Sequence, residues 1–526
     1  MAERLKMKQL QDDMWGYFSW GIIGWKGIHI TPLRYSVDSR NTRVVNGSLT
    51  NRDGFYTLSA DPEGLGAKKI RGMTSNTNLY VVADKKFYTV DTDTGAWTEQ
   101  SSIGNRFTND VDINFVNFGK YTICLSGDDY PWVYNRVADT WTKLTAANIE
   151  ATALPRFWAK FAYGTYLAGN STKKDILYIS RGATSVNPEY SFDYVWAGSE
   201  LKQMQSNIES VVANKERLFI FTEESIEMIT TQSLASTGGI TSTYSIPIAG
   251  KNRVAAHRGV VVADDIIFFR TKKNQIKTIS YIPGVTEASI GTLTSRKWFD
   301  LDNYMSLLDS DQSEIYGYYH KEKQLVIRHV RGEGETINTE TLVYDIANDN
   351  FYPWDNKYFS CGTEHNDEYY TGDCSTAYIY IDEKGSDDDS WPISWYRNWA
   401  YWCPWLTNVR YEYREVGLSG QIGTNTTIDV SVLVDDIIEK EDSIVGADEF
   451  ASGVASWAIA EDAIAADYAE NNLLKFEKVI SPGNLRARGK MIQVNVSGSG
   501  VMQDFALSGC SIGYLPLGNT DTEDKL

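Results

Sequence analysis

The segment Leu79 to Thr98 (LYVVADKKFYTVDTDTGAWT) lies on Ile123 to Thr142 (ICLSGDDYPWVYNRVADTWT) without a gap, at a displacement of 44 residues. Asp84 then meets Asp128, Asp91 meets Asn135, Trp97 meets Trp141 and Thr98 meets Thr142. Each copy reads as an apolar strand, a polar turn, a second strand that ends on Asp or Asn, and a Trp-led strand after a further turn. The ending returns at Tyr344-Asp345, and upstream of it Tyr316 to Tyr319 and Gln324 to Val330 flank a polar turn at His320 to Lys323. The 210 residues from Asn135 to Asp345 are close to five steps of about 42. A four-stranded unit of this size buries its faces only against neighbouring units, so the period predicts a β-propeller of about six to eight kelch-like blades. The competing reading is two similar hairpins in an unrelated β-sandwich.

Ser210 to Thr222 (SVVANKERLFIFT) and Gly259 to Arg270 (GVVVADDIIFFR) continue the rhythm as pairs of β-branched or aromatic strands around charged turns. Aromatic residues make up 13% of the chain, which favours strands over helices. The expected fold class is therefore all-β: a propeller over residues 55–390 and a β-sandwich over 409–526. Residues 1–54 are expected to form an N-terminal arm with entry strands, and 391–408 a Trp-rich connector. An acidic stretch at 437–472 interrupts the second domain, and Ala458 to Ala469 within it is its one convincing helical segment.

No local constellation points to catalysis. The five cysteines have no metal spacing, the five histidines show no HxxxH or HExxH pattern, and neither a GxSxG elbow nor a phosphate-binding Gly-rich loop occurs. No cofactor is expected. Asp91 and Asp93 have the opening spacing of a calcium loop, but the later Glu ligand is missing and the repeat puts Asn135 and Val137 at the equivalent places. They read better as turn residues. The same segment approaches the Asp box of sialidase-like propellers and fails on the Gly95 to Trp97 spacing. A glycosidase would need two carboxylates about 5 to 10 Å apart beside a sugar pocket, and Glu364, Asp367 and Glu368 are acids in a polar turn. A carbohydrate-binding or glycoside-cleaving propeller is nevertheless the alternative function, motivated by the Trp and Tyr content.

Two aromatic clusters are expected to pack in interfaces. Trp15, Trp20 and Trp25 lie in a Gly-containing apolar stretch too short to span a bilayer as a helix, and Trp395, Trp399, Trp402 and Trp405 crowd the connector. The N-terminus lacks the order of a secretory signal, so a soluble protein made in a cytoplasm is expected.

Several segments together resemble a known family, the tail hub or packaged-DNA stabilisation (nozzle) proteins of short-tailed bacteriophages. Arg43-Val44-Val45-Asn46 followed by Arg52-Asp53-Gly54-Phe55 is similar to that family's Arg-rich strand and its R-x-G-F turn, with Asp53 where Pro is common. Ile70-Arg71-Gly72 leads into the first blade as it does there, and Val211 to Glu227 matches a middle blade through Leu218, Phe221, Ser225 and Glu227. Arg486 to Leu515 resembles the ending of virion β-domains. The resemblance implies a non-enzymatic virion tail protein assembled in the host cytoplasm. It also implies a ring of six subunits that continues the DNA channel, helps retain and release DNA without sequence-specific binding, adjoins head-to-tail adaptor or portal-side rings, and carries tail fibres or spikes.

The net charge of −19 disfavours a DNA-coating role. Residues 364–389 and 437–472 each carry nine acids against one base, so most of the acidity is local. The run Asp387, Asp388 and Asp389 is expected to face a channel or a basic partner surface.

Overall fold

The computed structural model describes residues 36–519 except 47, 60–64, 66–67, 101–106, 146–153, 162–163, 170–171, 180–200, 216, 235–239, 251–252, 274, 282–287, 293–307, 309–314, 400, 402–408, 424, 447–473, 481–486 and 501–504. The described residues are almost all β, in nine antiparallel sheets. Seven of these sheets have four strands each and follow one another along the chain. The first runs from Ile70–Ser75 to Trp97–Glu99, the second from Asn114–Phe118 to Thr140–Lys143, and the third from Phe157–Phe161 to Leu201–Gln203. The fourth spans Ile208–Asn214 to Ile240–Gly250, the fifth Val261–Ala263 to Ala288–Thr292, and the sixth Tyr316–His320 to Asn350–Asp355. The seventh takes three strands, Phe359–His365, Glu368–Asp373 and Ile379–Asp382, and completes itself with Phe55–Ser59 from the other end of the series.

Each sheet packs its buried face against the next. Tyr80 and Phe87 of the first sheet meet Cys124 and Tyr134 of the second, and Phe219 and Phe221 of the fourth meet Ile267 and Phe269 of the fifth. Ile379 and Ile381 of the seventh share a core with Leu79 and Val81 of the first, so the circuit returns on itself. Inner strands such as Leu79–Ala83 and Arg217–Thr222 are buried on both faces, which explains why they read as apolar runs rather than as clean alternation.

The 44-residue repeat is a structural repeat of turns. Asp91 Oδ1 accepts the backbone N–H groups of Asp93 and Thr94, and Asn135 Oδ1 accepts those of Val137 and Ala138. Asp345 Oδ1 does the same for Asn348. The turn in each case passes through a residue of positive φ, Gly95 at 70°, Asp139 at 50° and Asp349 at 51°. The Tyr134 and Tyr344 hydroxyls donate to Asp139 and Asp349 at 2.8 and 2.7 Å, a pair repeated at the 210-residue displacement. That displacement covers four sheet-to-sheet steps rather than the expected five, because longer strands and connections lie between the second and sixth sheets.

The remaining two sheets share one core. One contains Ser36–Arg40, Ile393–Trp399, Ile492–Gly500, Thr427–Val434 and Ile437–Val445, in that order. The other contains Thr42–Val45, Ser48–Asn51, Phe505–Asn519, Val409–Ile422, Leu474–Ile480 and Ala487–Gly489. Three expectations need correction. The described residues before 54 do form strands, but Ser36–Asn51 gives its three strands to these C-terminal sheets, and Val44 and Leu49 to their core, rather than standing apart. Within the expected connector, Ile393–Trp399 is a strand between two partners. The stretch at 437–472 begins with an edge strand rather than an insertion; the expected helix at 458–469 lies outside the described residues. The charged run Glu439 to Asp442 suits Ile437–Val445 to an edge, where Ile444 is its one buried residue.

Candidate functional site: the joint between the bodies and the cleft above the circuit

The chain passes between the two bodies twice, at Asn51 to Phe55 and at Asp382 to Ile393, and the residues there form a buried polar joint. Arg52, whose side chain is fully buried, donates to both carboxylate oxygens of Asp388, to Asn41 Oδ1 at 3.0 Å, and to the carbonyls of Asp53 and Asp355 at 3.0 Å. Burial works against the Arg52 charge, and Asp388 together with Asp355 and Glu383 more than offsets it, so its pKa is raised. Asp388 itself is held above the ordinary carboxylate value by burial, which Arg52 offsets only in part. Gly54 is required here because a Cβ would stand 1.6 Å from the Asp387 carbonyl oxygen. Phe55 packs edge-on against Phe359 and Tyr380, with ring centroids 5.3 and 5.0 Å away.

A second group of charges lies alongside. Lys357, with no exposed side-chain surface, donates to Asp382 at 2.6 Å and to Glu383 at 2.5 Å, and Tyr318 donates to the other oxygen of Asp382. Lys323 reaches Asp53 at 2.8 Å and Glu383 at 3.4 Å, and Arg43 reaches Asp53 at 2.8 Å. Burial opposes ionisation of Glu383, yet Lys357, Lys323 and Arg43 hold its pKa down to about 2. A buried network with its partners in place fixes geometry more than it adds stability. The motif residues Arg43, Arg52, Asp53, Gly54 and Phe55 thus all act at this joint.

The interior of the circuit is tied across by Arg258. Its guanidinium donates to the carbonyls of Arg71 at 2.7 Å and Ile113 at 2.8 Å, to Asn114 Oδ1 at 3.2 Å and to the Ser360 carbonyl at 3.4 Å. It also pairs with Asp112 at 3.2 Å, where Lys69 and Arg71 lie within 3.6 Å. Burial disfavours the Asp112 carboxylate, but these cations hold its pKa below the ordinary value. Gly72 admits this crowding, since a Cβ there would stand 2.4 Å from the Ile113 carbonyl oxygen.

Beside Arg258 a cleft of about 530 Å3 opens where the first strands of several sheets begin. Arg253 donates to Glu209 at 2.7 Å and to Glu223 at 2.9 Å, and Lys272 reaches the same Glu209 oxygen at 2.6 Å. His257 is half-buried, shares a hydrogen bond of 2.7 Å with Ser210, and packs at a tilt against Phe157 with ring centroids 4.8 Å apart. Burial, reinforced by Arg258 and Arg156, lowers its pKa to about 3, so it stays neutral at physiological pH and is unsuited to act as a general base. Phe157 is the one Phe, Tyr or Trp among the described lining residues, so the cleft lacks the aromatic platform that sugar stacking would use.

The sequence-selected residues fall in several places. Asp388 faces neither channel nor partner: it is 4% exposed and closes the Arg52 pair, because the chain must neutralise an arginine where it crosses between bodies. Asp389 is exposed and accepts from the Thr57 N–H and hydroxyl at 2.9 and 2.7 Å, while Asp387 accepts the Phe55 N–H through its carbonyl. Trp395 and Trp399 lie in the core of the two shared sheets at 1% and 6% exposure, so they are not available to a partner. Trp391, 74% exposed, is the tryptophan of that cluster which does reach solvent among the described residues. Trp15, Trp20, Trp25, Trp402 and Trp405 lie outside the described residues. Asp91 and Asp93 are exposed, and Asp91 is engaged in its turn, whose backbone N–H groups lower its pKa. Glu364 and Asp367 flank a crevice of only about 20 Å3, room for little more than a water molecule.

No family model matches the chain, and no curated protein matches it. Among solved structures, the computationally designed Ika8 protein is similar at a TM-score of 0.38 and 9% identity, over 62% of this chain and 99% of that one. A chain in the mitotic checkpoint complex is similar at 0.40 and 9% identity, over 64% and 94%. Neither likeness bears on what the chain does.

Proposed function

We propose that the protein is a non-enzymatic structural subunit of a short phage tail, a hub or nozzle ring component built from a seven-bladed propeller and a β-sandwich. In this reading Phe55–Ser59 closes the last blade, and the propeller is inserted between two parts of the sandwich. The observation that carries the proposal is the joint. Two chain crossings, a fully buried Arg52–Asp388 pair and the Lys357–Asp382–Glu383 group make the two bodies one stiff unit, as a ring subunit under mechanical load requires. Of the segments that resemble the tail hub family, Arg43 to Asn46 and Arg52 to Phe55 contribute Arg43, Arg52 and Asp53 to that joint.

Arg258 spans the interior of the propeller, so a DNA conduit would run between subunits and not along a blade axis. Six copies around an adaptor or portal-side ring, with fibres or spikes outside, complete the arrangement. Native mass measurement and negative-stain imaging of the purified chain, alone and with adaptor rings, test it. A closed ring with a central hole is expected, and a chain that stays monomeric beside intact adaptor rings would refute it.

A further inference from the structure

We propose that a chloride ion lies buried between the fifth and sixth sheets, held by the Arg328 guanidinium with Arg270 as a second positive group. Both side chains point into the same interface. Phe268 of Ile266–Arg270 and Val326 and Val330 of Leu325–Arg331 share one core, and neither strand shifts register between these residues and its arginine. Side chains two residues apart on a strand lie on one face, so Arg270 follows Phe268 into that core, and Arg328 enters it between Val326 and Val330. Each arginine is 1% exposed.

Arg328 lacks the partner that such burial calls for. Its Nε donates to the Gly259 carbonyl in a long bond of 3.4 Å, while Nη2 is buried with no hydrogen-bond acceptor. No carboxylate among the described residues pairs with it, and the charge that acts on it is the like charge of Arg270. Burial and that repulsion lower its pKa to about 9, which leaves the guanidinium charged at neutral pH. Arg52, equally buried, has Asp388. A buried charge needs a counter-charge, and an anion from solvent supplies one to Arg328.

The position of Arg328 is built. Gly317 pairs with it on the neighbouring strand, and a Cβ there would stand 3.2 Å from Arg328 Cγ and 2.8 Å from Val261 Cγ2. The glycine thus leaves the space through which the arginine reaches Gly259. Arg270 is tied to the same turn, since its carbonyl accepts the Ala255 N–H at 2.8 Å and the Ala256 carbonyl accepts the Gly259 N–H at 3.2 Å. Phe268, Ile315 and Val330 make the surroundings apolar, so an entering ion must shed its water. A monovalent halide does so more readily than a doubly charged oxyanion and needs little more room than one water molecule. Water alone would satisfy the N–H groups but leave the charge uncompensated.

Thermal unfolding of the full chain at constant ionic strength, with gluconate exchanged for chloride, tests the proposal. Raising chloride from about 1 to 150 mM should lift the wild-type midpoint by about 2 °C or more, because an ion that binds only the folded state stabilises it. Arg328→Met should show no chloride dependence, and its midpoint in gluconate should equal or exceed that of wild type, since the uncompensated charge is gone. Lys321→Gln, on an exposed turn of the sixth sheet, should keep the wild-type dependence. In wild-type crystals grown with bromide, anomalous scattering should mark a site beside Arg328, a measurement that needs no variant to fold. A wild-type midpoint indifferent to chloride, a dependence that survives Arg328→Met, or bromide crystals with no peak at Arg328 would each overturn the proposal.

Discussion

Removing the Asp388 carboxylate is the sharpest test of the joint. In Asp388→Ala, Arg52 keeps its bonds to Asn41 and to two carbonyls but loses both contacts to its one ion-pair partner while its side chain stays fully buried. Breaking a buried pair from one side costs about 3 to 5 kcal/mol, mostly because the remaining charge has no partner. The surviving hydrogen bonds place the expected loss toward the lower end, about 3 kcal/mol. Urea unfolding followed by tryptophan fluorescence suits the measurement, since Trp354 and Trp395 are buried on the two sides of the joint. The double variant Arg52→Met with Asp388→Leu should recover most of the loss, because an apolar pair removes the uncompensated charge. Asp389→Ala, at an exposed position, should cost well under half as much. A loss below about 1 kcal/mol in Asp388→Ala, or equal losses at Asp388 and Asp389, would refute the reasoning.

Other expectations follow from the same geometry. The Glu383 pKa is held at about 2, below its ordinary 4.5, so its contribution is present above pH 4.5 and lost as the pH falls toward 2. Glu383→Gln should therefore flatten the acid limb of a stability-versus-pH curve; an unchanged limb would contradict it. Gly54→Ala forces a methyl group onto the Asp387 carbonyl and should cost at least about 3 kcal/mol or abolish soluble expression, whereas wild-type thermal stability would show that the approach can relax. Asp91→Ala and Asn135→Ala should each cost about 1 kcal/mol, since both remove the same turn bonds; a large raising of the wild-type thermal midpoint by calcium would show that Asp91 serves a metal instead.

Turn chemistry, apolar runs and period are local properties, and these were legible in the chain. Asp91, Asn135 and Asp345 announced equivalent turns because a side-chain oxygen two or three residues from its donors leaves a short-range pattern. Asp84-Lys85, Asn366-Asp367 and Asp435-Asp436 likewise adopt positive φ in tight hairpins, and all of these except Lys85 are residue types that tolerate that conformation. The period was less secure over distance: a spacing of 210 residues fits five short units as well as the four longer ones observed.

Partners distant in sequence leave no such trace. Arg52 and Asp388 are 336 residues apart, and nothing near the Asp387-Asp388-Asp389 run distinguishes a buried counter-ion from its solvated neighbours. The cleft is equally silent in one dimension, since Arg156, Lys174, Glu209 and Arg253 come from separate segments of the chain. By itself the sequence determined an all-β chain of repeated strand-turn units with an acidic surplus confined to two stretches. Only the tertiary structure decided that Phe55–Ser59 completes the last sheet of the circuit and that Ser36–Asn51 belongs with the C-terminal sheets. It also turned one aspartate of an acidic run into the counter-ion of a buried arginine. The reason is physical: local patterns set which residues can form strands and turns, whereas burial and the pairing of charges depend on which distant segments desolvate one another.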